Sequence, residues 1–88
     1  MMEYERVIRM MDIIINDRTV PRNIRAAVEN AKNQLNSNEE EIVKISAAIS
    51  ILDEITNDPN MPLYTRTQIW NIVSQLEEMR RELEKKKI

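Results

Sequence analysis

The 88-residue chain contains no cysteine, no histidine and no glycine. Without cysteine it has no disulfide, no thiolate nucleophile and no thiolate metal ligand. Without histidine it lacks the commonest general base and the commonest metal ligand. The Glu-x-x-His pairs of carboxylate di-iron bundles are excluded with it. Without glycine no Gly-rich loop can cradle a phosphate. Ser46, Ser50 and Ser74 have no histidine to activate them, and Lys32 and Lys44 read as surface positions rather than buried bases. The expectation is a chain with no catalytic residue, no cofactor and no metal: not an enzyme.

Aromatic residues are almost as scarce. Only Tyr4, Tyr64 and Trp70 occur, against 13 isoleucines, so the core must be filled by branched aliphatic chains. No apolar run approaches the roughly 20 residues that span a bilayer. The opening stretch MMEYERVIRMMDIII is charged throughout and lacks a secretory pattern. A net charge of −2 gives no global pull towards nucleic acid or an anionic surface. A cytoplasmic protein without a membrane partner is expected.

What is present is helical periodicity, in four segments. The first carries Tyr4, Val7, Ile8, Met11, Ile14 and Ile15. The second carries Ile24, Ala27, Val28, Ala31 and Leu35. The third carries Ile42, Ile45, Ala48, Ile49, Leu52 and Ile55, and the fourth Ile69, Ile72, Val73, Leu76, Met79 and Leu83. Each stripe is wide enough to face a core. Ser37-Asn38-Glu39-Glu40 reads as a capping box opening the third helix. Pro21 and Pro62 belong in first helical turns, with the N-cap at Thr19 and Asn60 or at Val20 and Met61. Asn16 and Asn57 are expected in the left-handed C-terminal role that glycine usually fills. The stretch from Glu77 to Lys87 is charged and reads as a helix that outruns the core and frays.

Shifted by 41 residues, the chain matches itself without a gap. Residues 2–35 and 43–76 share ten identities in 34 pairs, where chance gives about two or three. Asn16-Asp17-x-x-Val20-Pro21 falls on Asn57-Asp58-x-x-Met61-Pro62. Asp12 meets Asp53, Arg25 meets Arg66, and Gln34-Leu35 meets Gln75-Leu76. One helical hairpin cannot bury so wide a stripe, but two stacked hairpins can. The expectation is therefore all-α: one domain over residues 1–88, a four-helix up-and-down bundle from two duplicated helical hairpins. In that path both Asn-Asp loops lie at one end, and the Ser37 turn and the termini at the other.

The phrases NDRTVPRNIR and NDPNMPLYTRTQIW, with NIVSQLEEM after the second, resemble an uncharacterised family of small archaeal proteins, number 0147. The resemblance covers nearly the whole chain. It implies an all-helical, four-helix fold of bromodomain-like shape, and it implies no function.

The repeated polar residues are the natural site candidates. Asp12 and Arg25 stand at comparable heights beside the first loop, as do Asp53 and Arg66 beside the second; Asp17 and Asp58 are within the loops. The leading reading is a structural ion-pair layer, Arg25 with Asp12 or Asp17 and Arg66 with Asp53 or Asp58. Arg25 and Arg66 could alternatively hold an anion or a peptide carboxylate. A cation site from the four aspartates is the weakest reading, because the arginines would compete with the ion. Trp70 breaks the repeat, since its counterpart is Glu29. It is either a rim residue closing the core beside Leu63 and Tyr64, or an interface anchor with Tyr64, Met1, Met2, Met10 and Met61 as adaptable neighbours. Arg18, Arg22 and the tail cations Arg80, Arg81 and Lys85–Lys87 are read first as solvated faces. The function most in keeping with this is an interaction or assembly module for an unknown macromolecular partner or a second copy, engaged through an apolar patch near Trp70 or through the loop end bearing Asp17 and Asp58. The alternative is docking on RNA or a ribonucleoprotein through Arg18, Arg22 and the C-terminal lysines.

Overall fold

Four α-helices account for most of the computed structural model, which describes residues 4–85: α1 (Glu5–Ile15), α2 (Arg22–Leu35), α3 (Glu41–Ile55) and α4 (Leu63–Lys85). Met1, Met2, Lys86 and Lys87 lie outside the described residues. Each helix packs on the next and α4 packs back on α1, the ring of an up-and-down four-helix bundle. The described residues contain no strand, and no helix among them is long and apolar enough to cross a membrane.

The apolar stripes form the core as their spacing requires. Val7, Met11 and Ile14 of α1 meet Ile24, Val28, Ala31 and Leu35 of α2, Ile45, Ala48, Ile49 and Leu52 of α3, and Ile69, Ile72, Val73 and Leu76 of α4. Val20 and Met61, the residues before the two prolines, are also buried and close the core at one end. This explains the apolar position in the repeated loop phrase. It also makes Met61 a core residue rather than part of a surface patch. Met10 is half-buried, its sulfur accepting a hydrogen bond from Gln75 Nε2.

The helix ends differ from the sequence reading in three places. First, Ser37 does not cap α3. Its hydroxyl turns back to donate to the Gln34 carbonyl at 2.7 Å, and Glu40 precedes the helix with no side-chain cap. The longer turn lets Ser37 close α2 instead of opening α3. Second, the residue flanking α2 is Pro21 itself, with φ −53° and ψ 146°, and not Thr19 or Val20. Its carbonyl accepts from the Ile24 and Arg25 amides, while its own lack of an N–H costs nothing outside the helix. Third, Asn16 keeps φ at −92°, and no described residue has positive φ. The α1 end is closed by amide bonds from Asn16 to Asp12 and from Asp17 to Ile14, so no left-handed residue is required.

Beyond Leu76, α4 stays helical through Lys85, with Met79 and Leu83 half-buried against the core. Glu77–Arg80, Glu78–Arg81 and Glu82–Lys85 pair at i, i+3 along its surface. At the end of the bundle away from the prolines, the Tyr4 hydroxyl donates to Glu41 Oε1 at 2.9 Å, and Lys44 sits over the Tyr4 ring. Burial and the neighbouring carboxylate push the Tyr4 hydroxyl's pKa upward.

Among the described residues one polar residue is wholly buried. Thr65, in the first turn of α4, is 0% exposed and its hydroxyl has no partner among the described residues. Its repeat counterpart is the buried Ile24. A buried unpaired hydroxyl is destabilising, so Thr65→Val should raise stability by about 1 kcal/mol. The melting temperature should rise by roughly 4–8 °C. A fall in melting temperature would mean that the hydroxyl is bonded in solution.

Candidate functional site at the proline loops

The two Asn-Asp loops share one hydrogen-bond plan. Val20 N–H donates to the Asp17 carbonyl and Met61 N–H to the Asp58 carbonyl, while the Arg25 and Arg66 amides reach the Pro21 and Pro62 carbonyls. Each loop aspartate also accepts the amide two residues on, Thr19 N–H at 2.9 Å and Asn60 N–H at 2.8 Å. These are Asx turns, which explains aspartate in a tight loop without glycine.

Each aspartate is then reached from the other hairpin. Asn23 Nδ2 donates to Asp58 Oδ2 at 2.6 Å. The Tyr64 hydroxyl hydrogen-bonds the Thr19 hydroxyl and lies 3.4 Å from Asp17 Oδ2. Asn23 and Tyr64 are equivalent under the 41-residue shift. The two loops are thus clasped by reciprocal links from equivalent positions, and both lie at one end of the bundle. The Thr19 hydroxyl and amide hold the Asp17 carboxyl below its ordinary range, with smaller help from Tyr64 and the Arg25 charge.

The ion-pair layer is not formed in the way the sequence suggested. Arg25 donates from Nε to the Val20 carbonyl at 3.0 Å. Arg66 donates from Nη1 to the Thr56 carbonyl, and from Nη2 to the Asp58 carbonyl at 3.3 Å. Thr56 flanks the C-terminus of α3, where carbonyls lack helical donors and carry the negative end of the helix dipole. These carbonyls lie inside the reach of a half-buried guanidinium, and the loop carboxylates are already engaged. Asp12 pairs with Lys32 instead, at 2.8 Å. The counterpart of Lys32 is Val73, and the exposed Asp53 meets no cation among the described residues. Among the described residues no three carboxylates gather as a cation site.

Trp70 is 54% exposed, so it does not close the core rim. It lies seven residues after Leu63, which is 76% exposed, on the outward stripe of α4 with Thr67 and Ser74. Tyr64 points elsewhere: six residues before Trp70, it sits about 120° away around the helix and turns to the loops. Tyr64 and Trp70 therefore do not make one patch. Arg18 and Arg22 are exposed and pair with no carboxylate among the described residues. An open depression of about 310 Å³ next to them is lined by Ile15, Arg22, Arg25, Ala26 and Glu29. Four of its residues lie on one outward face of α2, and Ile15 of α1 supplies the fifth; that face is polar, so the apolar periodicity did not mark it.

Comparison with known proteins follows the same architecture. The model of an uncharacterised protein family, UPF0147, matches residues 2–79. A UPF0147 protein of Methanocaldococcus jannaschii is 65% identical over 43 residues, 48% of this chain and 46% of that one. A UPF0147 protein of Archaeoglobus fulgidus is 44% identical over 47 residues, 53% of this chain and 54% of that one. The matched stretch spans about half the length of these curated relatives. Among solved structures, a protein of unknown function superposes with TM-score 0.81 and 55% identity, covering 83% of this chain and 84% of that one. A UPF0147 protein from Thermoplasma acidophilum gives TM-score 0.81 at 36% identity, covering 85% and 89%.

Proposed function

The chain belongs to the uncharacterised protein family UPF0147, and on that premise we propose that it is a non-catalytic interaction module of the archaeal cytoplasm, docking a protein partner through the outward stripe of α4. The observation that carries this reading is Trp70, a large aromatic left 54% exposed in a chain with only one tryptophan. Exposed Leu63 extends the same stripe. Tryptophan anchors are characteristic of protein interfaces. No cofactor or metal enters this reading. The shared loop bonds support taking residues 2–35 and 43–76 as one duplicated unit within a single domain.

A second reading has its own support. Among the described residues Arg18 and Arg22 lack carboxylate partners, whereas Arg80, Arg81 and Lys85 each have one. Those two arginines would suit the phosphates of RNA or a ribonucleoprotein.

Pull-downs from an archaeal extract with the wild type, Trp70→Glu and an Arg18→Glu/Arg22→Glu double variant separate the two. A protein held by the wild type should be lost with Trp70→Glu, its affinity falling at least about thirtyfold, for a truncated anchor of about 2 kcal/mol. It should be retained by the double variant and at raised salt. Capture that survives Trp70→Glu but falls steeply with salt or nuclease would transfer the case to RNA.

A further inference from the structure

The depression and the apolar stripe are the same place on two hairpins. Ile15, Arg22, Arg25, Ala26 and Glu29 line the depression on the first hairpin. Shifted by 41 residues, they become Thr56, Leu63, Arg66, Thr67 and Trp70 on the second. One hairpin thus presents a concave charged surface where its repeat presents a projecting apolar one.

The two surfaces are also complementary in chemistry. A volume of about 310 Å³ is at the small end of ligand sites, which run from roughly 300 to 1,000 Å³, and suits a single large side chain. Arg22 has no carboxylate partner among the described residues, and Arg25 is held through its Nε so that its amino groups remain available. Guanidinium groups favour the face of an indole above other rings. Glu29 supplies an acceptor for the indole N–H, which can only donate. Ile15 and Ala26 give the site an aliphatic portion.

Resting on the reading of the α4 stripe as a docking surface, we propose that its occupant is a second copy of this chain: Trp70 of one copy enters the Ile15–Arg22–Arg25–Glu29 depression of the next, stacking on the arginines. The contact is head-to-tail, because α2 and α4 stand diagonally across the bundle, so knob and socket face different ways and two copies cannot exchange both at once. Such contacts close into rings or extend as open chains.

The test uses the full chain and its one tryptophan. Sedimentation equilibrium and Trp70 fluorescence across a dilution series should show concentration-dependent association of the wild type, with the emission shifting together with the mass. Trp70→Ser removes the knob and Arg22→Glu spoils the socket. Both positions are exposed, and melting curves check that each variant folds; Arg25 is left intact because it holds the loop. Each variant alone should associate at least tenfold more weakly. An equimolar mixture of the two should form a heterodimer and no larger species, since each contributes its one intact surface. A mixture that stays monomeric, or an Arg22→Glu variant that associates as well as the wild type, overturns the head-to-tail contact. A wild type that is monomeric at every concentration overturns self-docking altogether. In that case, loss of an extract protein with Trp70→Glu would still leave the broader reading of the α4 stripe standing.

Discussion

Replacing Arg66 with alanine is expected to lower the free energy of unfolding by about 2 kcal/mol, the scale of hydrogen bonds made by a charged donor. In a domain of this size that corresponds to a melting temperature lower by roughly 8–16 °C. The guanidinium is half-buried and spans the Thr56 and Asp58 carbonyls, so it ties the end of α3 to the loop that leads into α4. Alanine removes both bonds and the cation facing the α3 dipole. Arg25→Ala removes one bond, to the Val20 carbonyl, and should cost about half as much. Lysine at position 66 should recover only part of the loss, because an ammonium cannot reproduce the planar, two-ended reach. Urea titrations of the four proteins check the order. An unchanged midpoint for Arg66→Ala would show that water satisfies both carbonyls as well as the arginine does.

The arginines also mark where sequence reading stopped. Their recurrence at one repeat position was visible, and so was their height beside the loops. Their partners were not. Carboxylates are the obvious complement of a guanidinium, and side-chain carboxylates can be counted in a sequence. Free backbone carbonyls at a helix end cannot be, because they depend on where the helix stops. The same blindness explains Ser37. The Ser-x-x-Glu spacing satisfies a capping box only if the helix starts at once, and here it starts at Glu41 while the hydroxyl serves the preceding helix.

The helical stripes, by contrast, were legible because a 3.6-residue period is imposed by the core itself. The four segments became α1 to α4, and most of their apolar positions are buried or packed against the core. Both proline loops being at one end followed from short connections in an antiparallel path. The clasp between them did not follow. Asn23 and Tyr64 are different residues, so an identity-based repeat passes over them, although both reach across to the other hairpin's aspartate loop. Trp70 was singled out because it breaks the repeat, but only its exposure decided between rim and surface.

That decision can be put to a direct contrast between adjacent positions. Ile69 and Trp70 are neighbours in α4, one 0% and the other 54% exposed. The same substitution should have opposite results. Ile69→Glu places a carboxylate among Met11, Ile24, Leu52 and the other residues of the shared core, with no cation there to meet it. Removing a charge from water without a partner costs several kcal/mol even after relaxation. The lost packing of a large aliphatic side chain adds about 2–5 kcal/mol. Together these reach about 5–10 kcal/mol, comparable to the roughly 5–15 kcal/mol that holds a typical domain. The variant should therefore have no cooperative thermal transition at neutral pH. Lowering the pH to protonate the glutamate should restore part of its helicity, because the neutral acid is less costly to bury. Trp70→Glu introduces the same side chain one residue later, at the position where the first hairpin already carries Glu29. It should melt within about 0.5 kcal/mol of the wild type, as exposed substitutions do. Circular dichroism melts of the two variants measured side by side decide the matter. If Trp70→Glu also loses its transition, the indole is holding the bundle together, and neither the docking stripe nor the head-to-tail contact can be built on it.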